Sequence, residues 1–258
     1  MQEAAPTVDI SKLVEQPYAS ILCYPRPTKK ELAKRLIELR KLDVTTISFQ
    51  GSKQLLNLRV LGKGCVGIVV LVRANGRRAA LKIRRVDADR ATMRHEAQML
   101  EMANSASVGP KLFTASKNFL VMQYIQGQTL EQWLTHHSGR KEKRRVFREI
   151  LEQCWRLDRA GLDHGELSWA AKHVIVARSG KPTVVDFETA SEERHPANVT
   201  AISQYLFLSG ARQQGSALLA RRQKLIERLR SYKKDRNRTN FENILKVLAL
   251  DHVVVCGS

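Results

Sequence analysis

Cysteine is scarce in this 258-residue chain: Cys23, Cys65, Cys154 and Cys256 lie far apart, and no two form a C-x-x-C pair. Such spacing argues against a zinc site or a disulfide framework and points to an intracellular protein. Long apolar runs are missing too. Stretches such as Ile68–Val72 are far too short to span a bilayer, and the opening MQEAAPTVDI has neither the basic start nor the apolar core of a signal peptide. A cytoplasmic chain with no membrane partner is expected. Acidic residues are the third scarcity: 25 Asp and Glu stand against 44 Lys and Arg, for a net charge of +19. That excess predicts attraction to polyanions, whether nucleic acid, acidic protein or nucleotide phosphate, without choosing among them.

What is present is ordinary for a folded protein: 43% apolar and 27% charged residues exclude disorder as the main state. A chain of this length buries roughly 70–75% of its unfolded surface, enough for one domain of two lobes or for two small domains. Thr28 followed by Glu31 is a capping-box pattern opening a helix with Leu32, Leu36, Ile37 and Leu39 on its apolar side. Val44–Phe49, rich in β-branched residues, reads as a strand. Residues 1–55 are therefore expected to form an N-terminal extension of helix plus strand that caps a larger domain. From Leu56 short strands alternate with glycine turns: Leu56–Leu61, Ile68–Arg73 and, after the hairpin signal Ala74-Asn75-Gly76, Ala79–Arg84. A helix over Arg90–Ala103 and strands over Lys111–Thr114 and Phe119–Ile125 complete a five-stranded antiparallel lobe with one helix, residues 56–123. The rest, 124–258, reads as mainly helical: Thr129–His136, Glu142–Ala160 and three helices within 196–250. Two short β pieces, Val174–Ala177 and Thr183–Phe187, interrupt it.

The sharpest chemical signal is G-x-G-x-x-G at Gly62, Gly64 and Gly67, with Val69 beyond it. Glycines let the backbone approach phosphate oxygens closely, because no Cβ intervenes. A dinucleotide fingerprint would open a helix within a βαβ unit; this motif opens a β-branched strand and a hairpin. Twenty residues after Gly62, Lys82 sits in an apolar strand, where its ammonium suits nucleotide phosphates. Fourteen residues later Glu96 falls on the expected helix, placed to hold Lys82 as an ion pair.

In this order and spacing the residues resemble the protein-kinase fold, an α+β, bilobal architecture. The resemblance covers roughly residues 56–190. It implies an ATP site formed by Leu61, Gly62, Lys63, Gly64, Gly67, Val69, Ala80, Lys82 and Glu96. FLVMQYIQG looks like the fifth strand entering the hinge, which makes Met122 the gatekeeper and gives the backbone of Gln123 and Ile125 to the adenine edge. DHGELS, Asp163–Ser168, looks like the catalytic loop, and PTVVDFETA supplies Asp186 in the magnesium-binding position. The pair His164-Gly165 is similar to the loop of the small atypical kinases, among them the RIO kinases and the kinase of the KEOPS complex. With about 70 residues after Asp186 and no Ala-Pro-Glu segment, the chain looks like a minimal archaeal-type Ser/Thr kinase. The cofactors implied are ATP and Mg2+ or Mn2+, and the implied partner is a protein with a Ser or Thr acceptor.

Departures cluster in one loop. Glu166 stands where the family has its catalytic aspartate, and a shift of about 1 Å in a reacting group can cost on the order of 100-fold in rate. Ala171 stands at the spacing of the metal-binding asparagine, or His173 if two inserted residues are allowed. Imidazole is a poor ligand for magnesium, so His173 acts through a water, favours manganese, or the second metal site is absent. Lys172 could add charge near a transferred phosphoryl group, and Glu188 replaces the glycine two residues after Asp186. Beside the Ser/Thr protein kinase stand two alternative readings, a pseudokinase that binds nucleotide as a switch or scaffold, and a small-molecule kinase with the same His-Gly loop. His136-His137 reads as a helix end. Arg221–Arg238 carries nine basic residues against Glu227 and Asp235, which with Arg140–Arg145 makes RNA or ribosome a candidate partner. Only Tyr232 offers an aromatic platform there.

Overall fold

In a computed structural model of the protein, residues 6–137, 139–209 and 216–251 are described. Cys256 therefore lies outside the described residues, while Cys23, Cys65 and Cys154 are free thiols. The chain divides into two compact units, residues 1–98 with 110–124 and residues 99–109 with 125–258. No helix among the described residues is long and apolar enough to cross a membrane.

The first unit is built on β6 (Gly67–Ala74) and β7 (Arg77–Arg84), joined by Asn75-Gly76. Both turn residues have positive φ, 46° and 70°, the conformation that matches a two-residue hairpin to strand twist. With β-branched or aliphatic side chains on both faces, β6 is almost wholly buried and takes the middle of a sheet. Seven strands form that sheet instead of five. β1 (Thr7–Asp9) and β2 (Val44–Ser48) extend it beyond β6, β9 (Phe119–Gln123) and β8 (Leu112–Ala115) follow β7, and β5 (Gly62–Lys63) pairs with β6. The strand expected at Leu56–Leu61 is a separate hairpin of β3 (Lys53–Leu55) and β4 (Leu58–Val60), turned at Leu56 with φ 53°. Two helices, α1 (Tyr18–Leu22) and α2 (Lys29–Lys41), add Ile21, Leu22, Leu36 and Leu39 to the core formed with Ile47, Val70, Leu81 and Phe119.

The capping box of α2 is half made. Thr28 Oγ1 accepts from the Glu31 N–H at 3.2 Å, but the Glu31 carboxylate turns to Arg35 Nε at 2.8 Å. Arg35 is fully buried. Its guanidinium donates to the Leu22 and Arg84 carbonyls at 2.7 and 2.6 Å. Ile37, expected on the apolar side, is 52% exposed. Helix α3 (Arg94–Ser105) starts four residues later than expected, where Thr92 Oγ1 accepts from the Arg94 N–H.

In the second unit β10 (Gly127–Thr129), β11 (Val174–Ala177) and β12 (Pro182–Val184) form an antiparallel sheet. Thr129 caps α4 (Leu130–His136) in a complete capping box with Gln132, and His136 and His137 close it by bonding the Gln132 and Trp133 carbonyls. α5 (Arg140–Arg159) buries Val146, Ile150, Cys154 and Leu157 on one face, and Gly161, at φ 75°, ends it. From the same helix the buried Gln153 clamps β12: its Nε2 donates to Pro182 O at 2.8 Å and its Oε1 accepts from Val184 N at 3.1 Å. α6 (Asn198–Ser203), α7 (Ser216–Lys234) and α8 (Arg238–Leu248) complete the unit.

Candidate active site

The glycine turn belongs to the first unit. Gly62 pairs with Val69 across β5 and β6, and the Gly64 N–H donates to Gly67 O at 2.8 Å to close the turn. None of the three glycines needs a left-handed backbone. A Cβ on Gly62 or Gly64 would meet nothing nearer than 3.5 Å, whereas one on Gly67 would lie 3.1 Å from Lys82 Cγ and Cε. Gly67 thus makes room for Lys82, and Gly62 and Gly64 keep the outer face of the turn bare. Sequence reasoning missed Arg85, which holds this turn by donating to Gly64 O at 3.1 Å. Both Arg85 and Lys63 lie over the Tyr24 ring, at 5.0 and 5.3 Å.

Val69 and Lys82 are paired residues of β6 and β7. Lys82 Nζ meets Glu96 Oε1 at 2.8 Å, and both side chains are about 6% exposed. Buried ion pairs are costly to desolvate, which makes this one a functional candidate rather than a simple staple. Ala80 is buried one turn of the pleat away, and Met122 is half-buried opposite it on β9. The Gln123 N–H donates to Lys111 O at 2.8 Å. That donor is already taken by the Lys111 carbonyl, so the Gln123 N–H is not offered to an adenine edge.

The other site residues lie in the second unit. Asp163 does not face solvent chemistry: it accepts from Arg194 Nε at 2.9 Å and from the Ala197 N–H at 3.0 Å. His164 is fully buried, and its Nε2 lies 3.0 Å from Val185 O. Burial lowers its pKa to about 4 against the raising effect of that carbonyl. The ring is therefore neutral at pH 7, and Nε2 carries the proton it donates. Its Nδ1 has no hydrogen-bond partner among the described residues. Gly165, at φ 88°, is required: a Cβ there would lie 2.7 Å from Arg194 Nη2 and 3.0 Å from Thr189 O.

Beyond this turn Glu166 is about one-third exposed, and its Oε2 lies 3.5 Å from Nε2 of the buried His173. On the other side of the imidazole, Nδ1 lies 3.8 Å from Asp186 Oδ2. Asp186 holds φ at 70°, a conformation aspartate seldom adopts. Such strain persists where surrounding structure over-determines it; here β12 and the buried Phe187 fix the residues on either side. Lys172 is exposed. One ligating atom each from Glu166, His173 and Asp186 lie within 4.8 Å of one another. The two carboxylates suit a hard divalent cation, and the imidazole adds a donor that magnesium disfavours.

Asn198, absent from the expected set, ties the turn down: its Oδ1 accepts from the His164 N–H at 2.9 Å, and its Nδ2 donates to Leu162 O at 2.7 Å. No local pattern marks such a residue, since its partners lie 34 and 36 positions away.

The family model of the RIO domain matches residues 72–204, just over half of the chain. The KEOPS complex subunit Bud32 of Pyrococcus abyssi (strain GE5 / Orsay) is 34% identical over 98 residues, 37% of this chain and 43% of that protein. The chain thus matches less than half the length of this curated relative. With the glycine turn, the lysine strand and the His-Gly loop, these matches show that the chain belongs to the RIO-domain family, atypical kinases of the protein-kinase-like fold.

Proposed function

We propose that this chain transfers the γ-phosphate of ATP to a serine or threonine hydroxyl of a protein. The observation that carries the reading is the buried Lys82–Glu96 pair under a glycine turn whose outer face is bare. In this reading Gly62–Gly67 covers the phosphates, Leu61, Lys63, Val69 and Ala80 border the nucleotide, and Lys82 holds the α- and β-phosphates. Met122 and the backbone of Ile125 face the adenine, without the Gln123 N–H. Asp186 and His173 hold the metal, which when bound supplies positive charge to the β- and γ-oxygens. Glu166 accepts a hydrogen bond from the attacking hydroxyl, which its partial exposure permits. Residues 56–123 and 124–258 act as the two kinase lobes, with 1–55 as an extension.

Similarity to a protein named as a KEOPS complex subunit supports work within a multisubunit assembly, and the basic helices support an RNA contact there; a cytoplasmic location goes with this reading. The test is transfer from γ-labelled ATP, with Mg2+ and separately with Mn2+, by the wild type, Lys82→Ala and Asp186→Ala. ATP binding is measured alongside. Transfer by the wild type that falls at least 100-fold in both variants is expected. The turn of Glu166 Oε2 toward His173 favours the pseudokinase alternative, and tight ATP binding with no transfer to any acceptor would establish it.

A further inference from the structure

Helix α2 does more than cover the sheet. Its Glu38 carboxylate is aimed at the turn between β8 and β9: one oxygen accepts from Ser116 Oγ at 2.7 Å and from the Asn118 N–H at 3.0 Å, the other from Asn118 Nδ2 at 2.6 Å. The buried Asn118 passes that hold on. Its Oδ1 accepts from Arg84 Nε and Nη2 at 3.0 and 2.8 Å, and its carbonyl accepts from the Arg84 N–H at 2.8 Å. Arg84 ends β7 two residues after Lys82, and its Nη1 donates to Arg90 O at 3.2 Å. From the same turn the Lys117 carbonyl accepts from the N–H of the buried Met93 at 3.0 Å. Met93 stands just ahead of α3, three residues before Glu96.

The turn at residues 116–118 thus fixes both approaches to the ion pair: the end of the strand that carries Lys82 and the start of the helix that carries Glu96. A buried polar cluster is a poor way merely to stabilise a sheet, because apolar residues of similar volume often do as well or better. Arg84 and Arg35 share one amide oxygen, with Arg35 Nη2 3.3 Å from Asn118 Oδ1. Burial, and then the neighbouring Arg35, lower the Arg84 pKa. The carboxylates that oppose this, Glu31 and Glu38, both come from α2. What a satisfied network adds is a fixed geometry. The 2.8 Å contact of Lys82 with Glu96 needs one, since a misplacement of about 1 Å can cost on the order of 100-fold in rate.

We infer that Glu38 and Asn118 are positioning residues for the Lys82–Glu96 pair, through which helix α2 sets the placement of the start of α3. The inference rests on the proposed function only where that reads Lys82 as the phosphate ligand; the coupling of α2 to α3 is measured without nucleotide. Neither residue touches ATP in this reading. They act through Lys117 O and Arg84, on the two segments that meet at the ion pair.

Glu38→Ala removes the acceptor from a half-buried position, and alanine keeps the helix. In the full chain free of nucleotide, hydrogen exchange of amides 94–98 should quicken by about threefold or more. Strand β2, on which α2 also packs, should exchange as in wild type. Glu38→Gln, which keeps one acceptor oxygen for Ser116 and the Asn118 N–H, should fall between the two. By calorimetry Glu38→Ala and Glu96→Gln should each bind ATP about fivefold more weakly. The double variant should bind no more than about twofold more weakly than Glu96→Gln alone, because Glu38 works through Glu96. Unchanged exchange at 94–98, quickening shared equally by β2, or penalties that multiply in the double variant would overturn the inference. A wild type that binds no ATP, with exchange at 94–98 still quickened by Glu38→Ala, would uphold the positioning and remove the nucleotide role of Lys82 instead.

Discussion

Among the three glycines of the turn, two have no internal reason to be glycine. Gly62 and Gly64 have neither positive φ nor a crowded Cβ position, while Gly67 packs on Lys82 and on the Ile83 carbonyl. The difference separates function from folding. Gly64→Val should leave the melting temperature within a few degrees of wild type, because its Cβ would meet only the Gly67 carbonyl oxygen, at an unstrained 3.6 Å, but cut ATP affinity at least tenfold. Gly67→Val should lower both, since Lys82 and the β7 backbone must move. Equal ATP affinity in wild type and Gly64→Val, measured by calorimetry, would remove the phosphate role of the turn. His164 makes a different statement at the same scale. Its folded pKa is depressed by burial to about 4, from an ordinary value near 6.5. The unfolded chain therefore binds the extra proton between these values. Stability is fully present above about pH 6.5 and falls as the pH drops toward 4, by about 3 kcal/mol from this residue. His164→Leu should flatten that part of the curve of unfolding free energy against pH, while costing stability at pH 7 through the lost bond to Val185 O.

At the scale of elements, the start of α6 is capped from outside. Its N-cap Ala197 has no side-chain acceptor. Asp163 and Asp158 supply the carboxylates instead: Ala197 N donates to Asp163 at 3.0 Å, Asn198 N to Asp158 at 2.9 Å and Val199 N to Asp158 at 3.2 Å. Tyr232 of α7 donates to the same Asp158 at 2.9 Å. Burial outweighs these donors and raises the pKa of Asp158. One buried carboxylate on α5 thus joins α6 and α7, and through Asn198 it fixes the His164 turn. Tyr232→Phe should cost about 1.5–3 kcal/mol in denaturant unfolding, the range for a hydrogen bond to a charged group. Asn198→Ala, which strands the Leu162 carbonyl and the His164 N–H, should lower kcat of phosphotransfer more than it raises KM for ATP, because it holds the loop of Glu166 and not the nucleotide. An equal rise in KM would contradict that. This network explains what the chain kept hidden. The Asn75-Gly76 turn, the Thr129–His136 helix and the apolar face of α5 are local patterns, and each was legible. So were Lys82 and Glu96, whose spacing is short. Arg35, by contrast, reads as a surface charge until Asn118, Leu22 and Arg84 are known to surround it. The hairpin at Leu56 was equally hidden, since a β-strand former occupies its positive-φ position.

For the whole molecule the charge of +19 matters more than any single contact. Helix α7 turns Leu225, Leu229 and Tyr232 inward, and leaves Arg221, Arg222, Lys224, Arg228, Arg230, Lys233 and Lys234 exposed. The inward stripe packs with Phe241, Ile244 and Leu245 of α8, which gives the cationic face a rigid base. Were this face to contact a phosphate backbone, condensed cations would be released, and affinity should fall steeply with salt. A single-stranded RNA that contacts five of these side chains should show log affinity falling with log salt at a slope of about −3.5, from roughly 0.7 per contact. Aromatic stacking adds little here, because Tyr232 is buried and bonded to Asp158; sequence preference should be weak as a result. Fluorescence anisotropy between 50 and 200 mM salt checks both expectations, at about these concentrations for the range in which counterion release dominates. Reversing three charges in Arg222→Glu, Lys224→Glu and Arg228→Glu should reduce the slope by about two and weaken binding to all sequences alike. These positions are exposed, so the melting temperature should stay near the wild-type value. An unchanged slope would place any polyanion contact elsewhere on the surface, with the basic start of α5 at Arg140–Arg145 the next to test.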